Sequence, residues 1–208
     1  MKLNNYPGRF LSSGLSDLPS SGLSDFPSSG LHETPTPKEL GYFFPAEFAL
    51  HEATWLSWPH KEASWPGKIH TIYPYYAQFV KELTKGEIVR INVADEAMKN
   101  FALSHLHKAE ADLSKVEFFF HPTNDAWCRD HGPAFLINPN AKQKKVIVDW
   151  NYNAWGNKYP PYDLDDIVPT LIGKHFNIPV FHPGIIMEGG SVEFNGKGAL
   201  MKIGRAHV

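Results

Sequence analysis

The 208-residue sequence predicts an α/β fold. Three observations carry that expectation. Segments with apolar residues at helical spacing alternate with short runs rich in Val, Ile and Phe, the pattern of strands joined by helical crossovers. Two of these runs flank a short polar turn and read as an antiparallel hairpin, which argues against a purely parallel sheet. Towards the C-terminus, glycines part the apolar runs into short strands.

Residues 1–38 stand apart from this pattern. "SSGLSDLP" at 12–19 recurs as "SSGLSDFP" at 20–27, and a third copy begins at 28. A repeat of Ser, Gly and Pro with one apolar pair per unit buries too little surface to offset its ordering entropy. The segment is expected to be disordered, and the globular part is expected over 39–201. There, "ATWLSWP" at 53–59 reads as a strand stopped by Pro59. Ile72, Tyr76, Phe79, Val80 and Leu83 mark one face of a helix over 70–85, with Gly86 just past its end. "EIVRINV" at 87–93 is a largely buried strand. Asp95 is placed to cap a helix carrying Met98, Phe101, Ala102 and Leu106 on one stripe. "KVEFFFH" at 115–121 is a further strand; "AFLIN" at 134–138 and "KVIVDW" at 145–150 form the hairpin. Asp163 is expected to cap a third helix reaching Phe176, with Pro169 delaying its start or bending it. "PVFHP", "GIIMEGGSVEFN" and "GALMK" supply the last strands. One strand begins at Ala199, close to the end of the chain. An unpaired strand makes a poor folding unit, so the chain is expected to be truncated, with "KIGRAHV" at 202–208 a non-native tail.

The formal charge of -2 offers nothing to attract nucleic acid or an anionic membrane. A single cysteine excludes an internal disulfide framework and suits a reducing compartment. No apolar run approaches the roughly 20 residues of a membrane span. Lys2 and Arg9 lead into no apolar segment, so no secretory signal is read and a cytoplasmic location is expected.

The residues with chemical potential cluster in "NDAWCRDHGP" at 124–133 and "MEGGSVEF" at 187–194. A metal site is weakly supported. "HEATW" at 51–55 lacks the second His that would put two imidazoles on one helical face. His121, Asp125, Asp130 and His131 are ligand types, but surface histidines explain them as well. Cys128 could be a nucleophile, yet a small buried hydrophobe is the better reading, since no base is placed beside it. Asp130 follows Trp127 by three residues and precedes Gly132-Pro133, which stops any helix. Glu188 precedes Gly189-Gly190, where the backbone can approach another group closely. Trp155, on a Gly-containing turn, is either a rim residue or a loop anchor. Taken together, two carboxylates and aromatic walls describe a pocket for a cation. A guanidinium suits it: carboxylates take its parallel N–H groups, and an indole face adds about 0.5–2 kcal/mol of cation–π attraction.

Four segments also resemble the agmatine deiminases and bacterial peptidylarginine deiminases of the guanidine-modifying superfamily. They are "FFPAEFALHEATWLSWPH" at 43–60, "NDAWCRDHGPAFLIN" at 124–138, "DWNYNAWGNKYPPYDLDD" at 149–166 and "MEGGSVEFNGKG" at 187–198, in the family's order. The resemblance implies part of a five-bladed α/β propeller around a central substrate channel, incomplete because the C-terminal part is missing. It implies that Asp130 binds the guanidinium, that Trp127 walls the same pocket, and that Glu188 holds the catalytic His. The family's nucleophilic Cys, its His and a second Asp come later than residue 208, so the chain itself is expected to be inactive. No cofactor is implied. The substrate is agmatine, giving N-carbamoylputrescine and ammonia for putrescine synthesis, or alternatively an arginine side chain of a protein. A non-catalytic cation-binding module is the remaining alternative. Whether full-length relatives form homo-oligomers is left open.

Overall fold

The computed structural model describes residues 35–203. Residues 1–34 of the segment expected to be disordered and 204–208 of the expected tail lie outside the described residues; of the rest, residues 37–38 enter a turn and Lys202 ends a strand. Two three-stranded sheets and one two-stranded sheet make up the α/β architecture, each sheet small and none closed on another among the described residues.

The first sheet has the parallel order β1 (Ala53–Ser57), β2 (Ile88–Val93), β3 (Val116–Phe120). Helices α1 (Ile69–Thr84) and α2 (Glu96–Ala109) are its two crossovers and pack against each other. The central strand decides the core. Val89, Ile91 and Val93 alternate along β2 and are fully buried beside Ala77 and Val80 of α1 and Ala102 and Leu106 of α2. Asp95 caps α2 as its sequence position predicts, accepting the Met98 N–H at 2.8 Å.

The second sheet mixes directions. β4 (Ala134–Ile137) and β5 (Lys145–Val148) form the predicted antiparallel hairpin, and β6 (Val180–Phe181) joins β5 in parallel. Before β6 come two helices, not the single one expected: α5 (Asp163–Asp166) and α6 (Val168–Phe176). Pro169 lies in the first turn of α6, where its missing N–H costs nothing; one turn deeper it would clash with the preceding carbonyls. Asp163 is the first residue of α5 and caps nothing, because Tyr162 occupies the cap position. Ile147, Val168 and Ile172 form this unit's core, and Trp55 of β1 packs on it, so an indole links the two units. Arg90 reinforces that join. It bonds Glu117 at 2.8 Å and Glu52 at 3.1 Å and lies 4.7 Å over the Phe176 ring, while Lys145 binds the same Glu52. The third sheet pairs β7 (Val192–Phe194) with β8 (Leu200–Lys202), antiparallel.

Gly173 sets how closely α6 approaches β6. A Cβ there would stand 2.3 Å from Val180 Cγ2 and 3.0 Å from Ile178 O. Alanine normally gains about 1 kcal/mol over glycine within a helix. At this position overpacking against a stiff β-branched neighbour costs more, about 1–3 kcal/mol. Gly173→Ala is therefore expected to lower the urea midpoint, whereas a release of backbone entropy alone would raise it.

Candidate active site

The Trp127–Asp130 segment leaves β3 through an irregular loop and closes into one helical turn, α3 (Cys128–His131). The N–H groups of Asp130 and His131 both reach Trp127 O, at 2.9 and 3.2 Å. Asp130 therefore stands one turn beyond Trp127, the cap residue of the turn. Gly132-Pro133 ends the turn as the sequence predicts. Gly132 donates to Cys128 O at 2.9 Å, and a Cβ on it would lie 2.4 Å from that same oxygen.

Glu188 arrives from far along the chain, at the entrance to a 3-10 turn, Gly189–Ser191. The glycine pair serves the approach of this turn to α3. A Cβ on Gly189 would sit 2.4 Å from Arg129 O, and one on Gly190 2.3 Å from Asp130 Oδ1. With no Cβ in the way, Gly190 N–H bonds Asp130 Oδ1 at 3.1 Å. The two predicted carboxylates are thereby brought together. Burial raises the Asp130 pKa, the Gly190 N–H draws it back, and the charge of Glu188 raises it again. Arg129, next in sequence to Asp130, is taken by Glu47 and by Glu193 at 3.5 Å. Among the described residues no Lys or Arg ion-pairs with Asp130 or Glu188.

The indoles adjoin this pair. The backbone N–H of Trp155 donates to Glu188 Oε1 at 3.2 Å, and the Trp155 ring meets Trp127 edge-on at 5.4 Å between centroids. Trp65 stacks on Trp127 at 6.5 Å between centroids. Trp155 is held by α4 (Ala154–Asn157), a single turn of left-handed sense with φ of 49°, 57°, 76° and 65° in succession. Such values cost L-residues roughly 1–2 kcal/mol each. The Asn153 side chain braces the turn by accepting the Gly156 N–H at 2.8 Å.

Trp127 and Trp155 are 38% and 36% exposed and form an open aromatic corner. A cleft of about 750 Å³ reaches Asp130 and Gly189 from the side of Phe44, Leu50 and Trp55, and neither Trp127, Trp155 nor Glu188 lines it. The histidines also differ from expectation, being buried rather than on the surface. His121 bonds Asn92 at 3.1 Å, and His131 packs against the Tyr152 ring with its pKa lowered by burial to about 4. Among the described residues no group of three or more His, Cys, Asp or Glu is placed to hold a metal.

Two participants were not singled out in the sequence. Tyr152 is buried, and its hydroxyl pKa is raised by burial and then by the charges of Asp165, Asp130, Glu188 and Asp125, so it stands among four acids. Asp165 lies beneath the loop that leads to Trp127. The acidic run "DLDD" at 163–166 was the available signal, but read alone it is a helix start.

The model of the Porphyromonas-type peptidyl-arginine deiminase family matches residues 43–205. A putative agmatine deiminase from Legionella pneumophila is 33% identical over 169 residues, covering 79% of this chain and 45% of that protein. Another from Selenomonas ruminantium is 30% identical, covering 80% and 45%. Among solved structures, the agmatine deiminase of Enterococcus faecalis superposes with a TM-score of 0.69 at 26% identity, covering 84% of this chain and 47% of that one. A substrate-bound agmatine deiminase from C. jejuni gives 0.66 at 28% identity, covering 77% and 45%. The chain spans a little under half the length of the curated relatives it matches. With the family model covering most of its described residues, the chain belongs to the Porphyromonas-type peptidyl-arginine deiminase family.

Proposed function

We propose that this chain is the guanidinium-holding part of an agmatine deiminase, one that hydrolyses agmatine to N-carbamoylputrescine and ammonia. The observation that carries the reading is the approach of Asp130 to Glu188 beside Trp127, with no basic side chain pairing either acid among the described residues. The charge of Glu188 raises the Asp130 pKa, and a cation beside the two would relieve that repulsion. A flat guanidinium can take charge-assisted bonds from Asp130 and rest on the Trp127 face. Asp130 binds it in this reading, and Glu188 orients the catalytic imidazole. The names of the relatives favour agmatine. The family description supports protein arginine as the second substrate class.

The chemistry needs an attacking thiolate and a proton-transferring imidazole. Held carboxylates localise positive charge near the guanidinium carbon. Thiolate addition then expels ammonia and leaves an S-linked amidine, which water hydrolyses. The chain's one cysteine is unsuited to the first step. Although Cys128 is partly exposed and lines the cleft, desolvation raises its pKa to about 12 despite a bond from Ser57, which leaves roughly a thousandfold less thiolate at neutral pH than an ordinary cysteine. We assign the nucleophile and its His to sequence outside these 208 residues, in one propeller-shaped domain with the sheets described above.

Three outcomes are expected. First, agmatine binds the chain by calorimetry, and Asp130→Asn weakens it by about 2 kcal/mol, roughly thirtyfold, the low end for a half-exposed charge pair. A variant with unchanged affinity removes Asp130 from the site, and tighter binding of an N-acetylarginine amide than of agmatine shifts the reading to protein substrates. Second, only ionised Asp130 attracts the cation. Because its pKa is raised, affinity is expected to fall with decreasing pH before an ordinary Asp would protonate, and binding in that range releases a proton. Affinity that is flat to pH 4 contradicts this. Third, Cys128 in the native chain is expected to resist iodoacetamide at pH 8 and to react promptly in urea; fast native labelling restores it as a nucleophile.

A further inference from the structure

One short acidic turn touches both loops that carry the aromatic corner. Asp165, in α5, is 1% exposed, and its Oδ1 accepts the backbone N–H of Asn124 at 2.7 Å and of Asp125 at 3.3 Å. Asn124 reciprocates: its Oδ1 accepts the N–H groups of Leu164 at 2.8 Å and Asp165 at 3.3 Å. Next along the turn, Asp166 Oδ1 accepts the Tyr152 N–H at 2.6 Å. Asn124 and Asp125 lead directly into Trp127–Asp130; Tyr152 leads directly into the left-handed turn that holds Trp155. On its far side the first loop is anchored again, since Asp125 accepts the Ser64 hydroxyl and the Ala126 N–H at 2.8 Å and pairs with Lys61 at 3.7 Å.

The loop at 121–127 has no strand or helix to satisfy its backbone. Buried N–H groups there need acceptors, and a carboxylate supplies strong ones. The choice is costly. Among the described residues no Lys or Arg pairs with Asp165, and burial, only partly offset by the two N–H groups, raises its pKa to about 6. An apolar residue would avoid that penalty but could not fix the loop.

We propose that Asp165 and Asp166 are positioning residues: a two-carboxylate clamp that sets the spacing of the Trp127–Asp130 arm from the Tyr152–Trp155 arm. The clamp rests on the deiminase reading only for the identity of the ligand. It touches no substrate. It limits how far the two indoles and the two site carboxylates can separate.

Hydrogen–deuterium exchange on the full 208-residue chain tests it. Asp165→Ala is expected to speed exchange at Asn124 and Asp125 at least tenfold, and to carry through to the amides of Trp127–Asp130, while Ile91 in the first core keeps its rate. Asp165→Asn, which retains an acceptor oxygen, restores most of the protection. Asp166→Ala has the matching effect at Tyr152 and Trp155. Agmatine titration alongside is expected to show at least tenfold weaker binding in Asp165→Ala with an unchanged far-UV spectrum. Should Asp165→Ala not fold, Asn124→Ala removes the reciprocal half of the clamp and takes its place. Unchanged exchange over 124–130 in a folded variant overturns the proposal, as does acceleration that includes Ile91 equally. A wild-type chain that does not bind agmatine counts against the deiminase reading, and the exchange pattern then still decides the clamp.

Discussion

The bond from Gly190 N–H to Asp130 Oδ1 joins two parts of the chain separated by 60 residues, and the arrangement of the site depends on it. It exists because neither Gly189 nor Gly190 has a Cβ. Any side chain at either position would run into Arg129 O or the Asp130 carboxyl. Once the glycine turn lies against α3, the charge of Glu188 acts on Asp130, whose own ionisation burial has already made unfavourable. That electrostatic conflict is the physical content of a cation site. Arg129, the obvious candidate to relieve it, pairs with Glu47 and Glu193 and offsets the Asp130 shift only in part.

Much of the fold was legible because its elements are local. β2 alternates Val89, Ile91 and Val93 on one face, and Asp95 stands where a cap must stand; both carry their structure in a few neighbouring residues. The Gly132-Pro133 stop is equally local. The failures were of a different kind. Pro169 marks the later helix start that was one of the two expected outcomes, but nothing short-range says that Asp163 fails to cap. For His121 and His131 the sequence offers a surface position as readily as a ligand role, because their burial is set by distant partners, Asn92 and Tyr152.

For the site, the pairing of residues 130 and 188 came from resemblance and chemistry, since separation along the chain conceals it. The role of the glycine pair was anticipated as close approach, but the group approached is α3. The openness of the aromatic corner was not legible, nor was the left-handed turn that holds Trp155, because only one of its four residues is glycine. Three L-residues in that conformation cost roughly 3–6 kcal/mol. The surrounding bonds from Asn153 and Asp166 keep the turn in place, and the strain lies next to the carboxylates, as it often does in functional sites.

Everything turns on whether the two carboxylates feel each other. Carbon-13 NMR titration of the Asp130 carboxyl, in the wild-type chain and in Glu188→Gln, measures this directly. The expected result is a pKa above the ordinary aspartate value in the wild type that falls back when the Glu188 charge is removed. An Asp130 pKa that is ordinary from the start, or identical in the two proteins, would contradict the account.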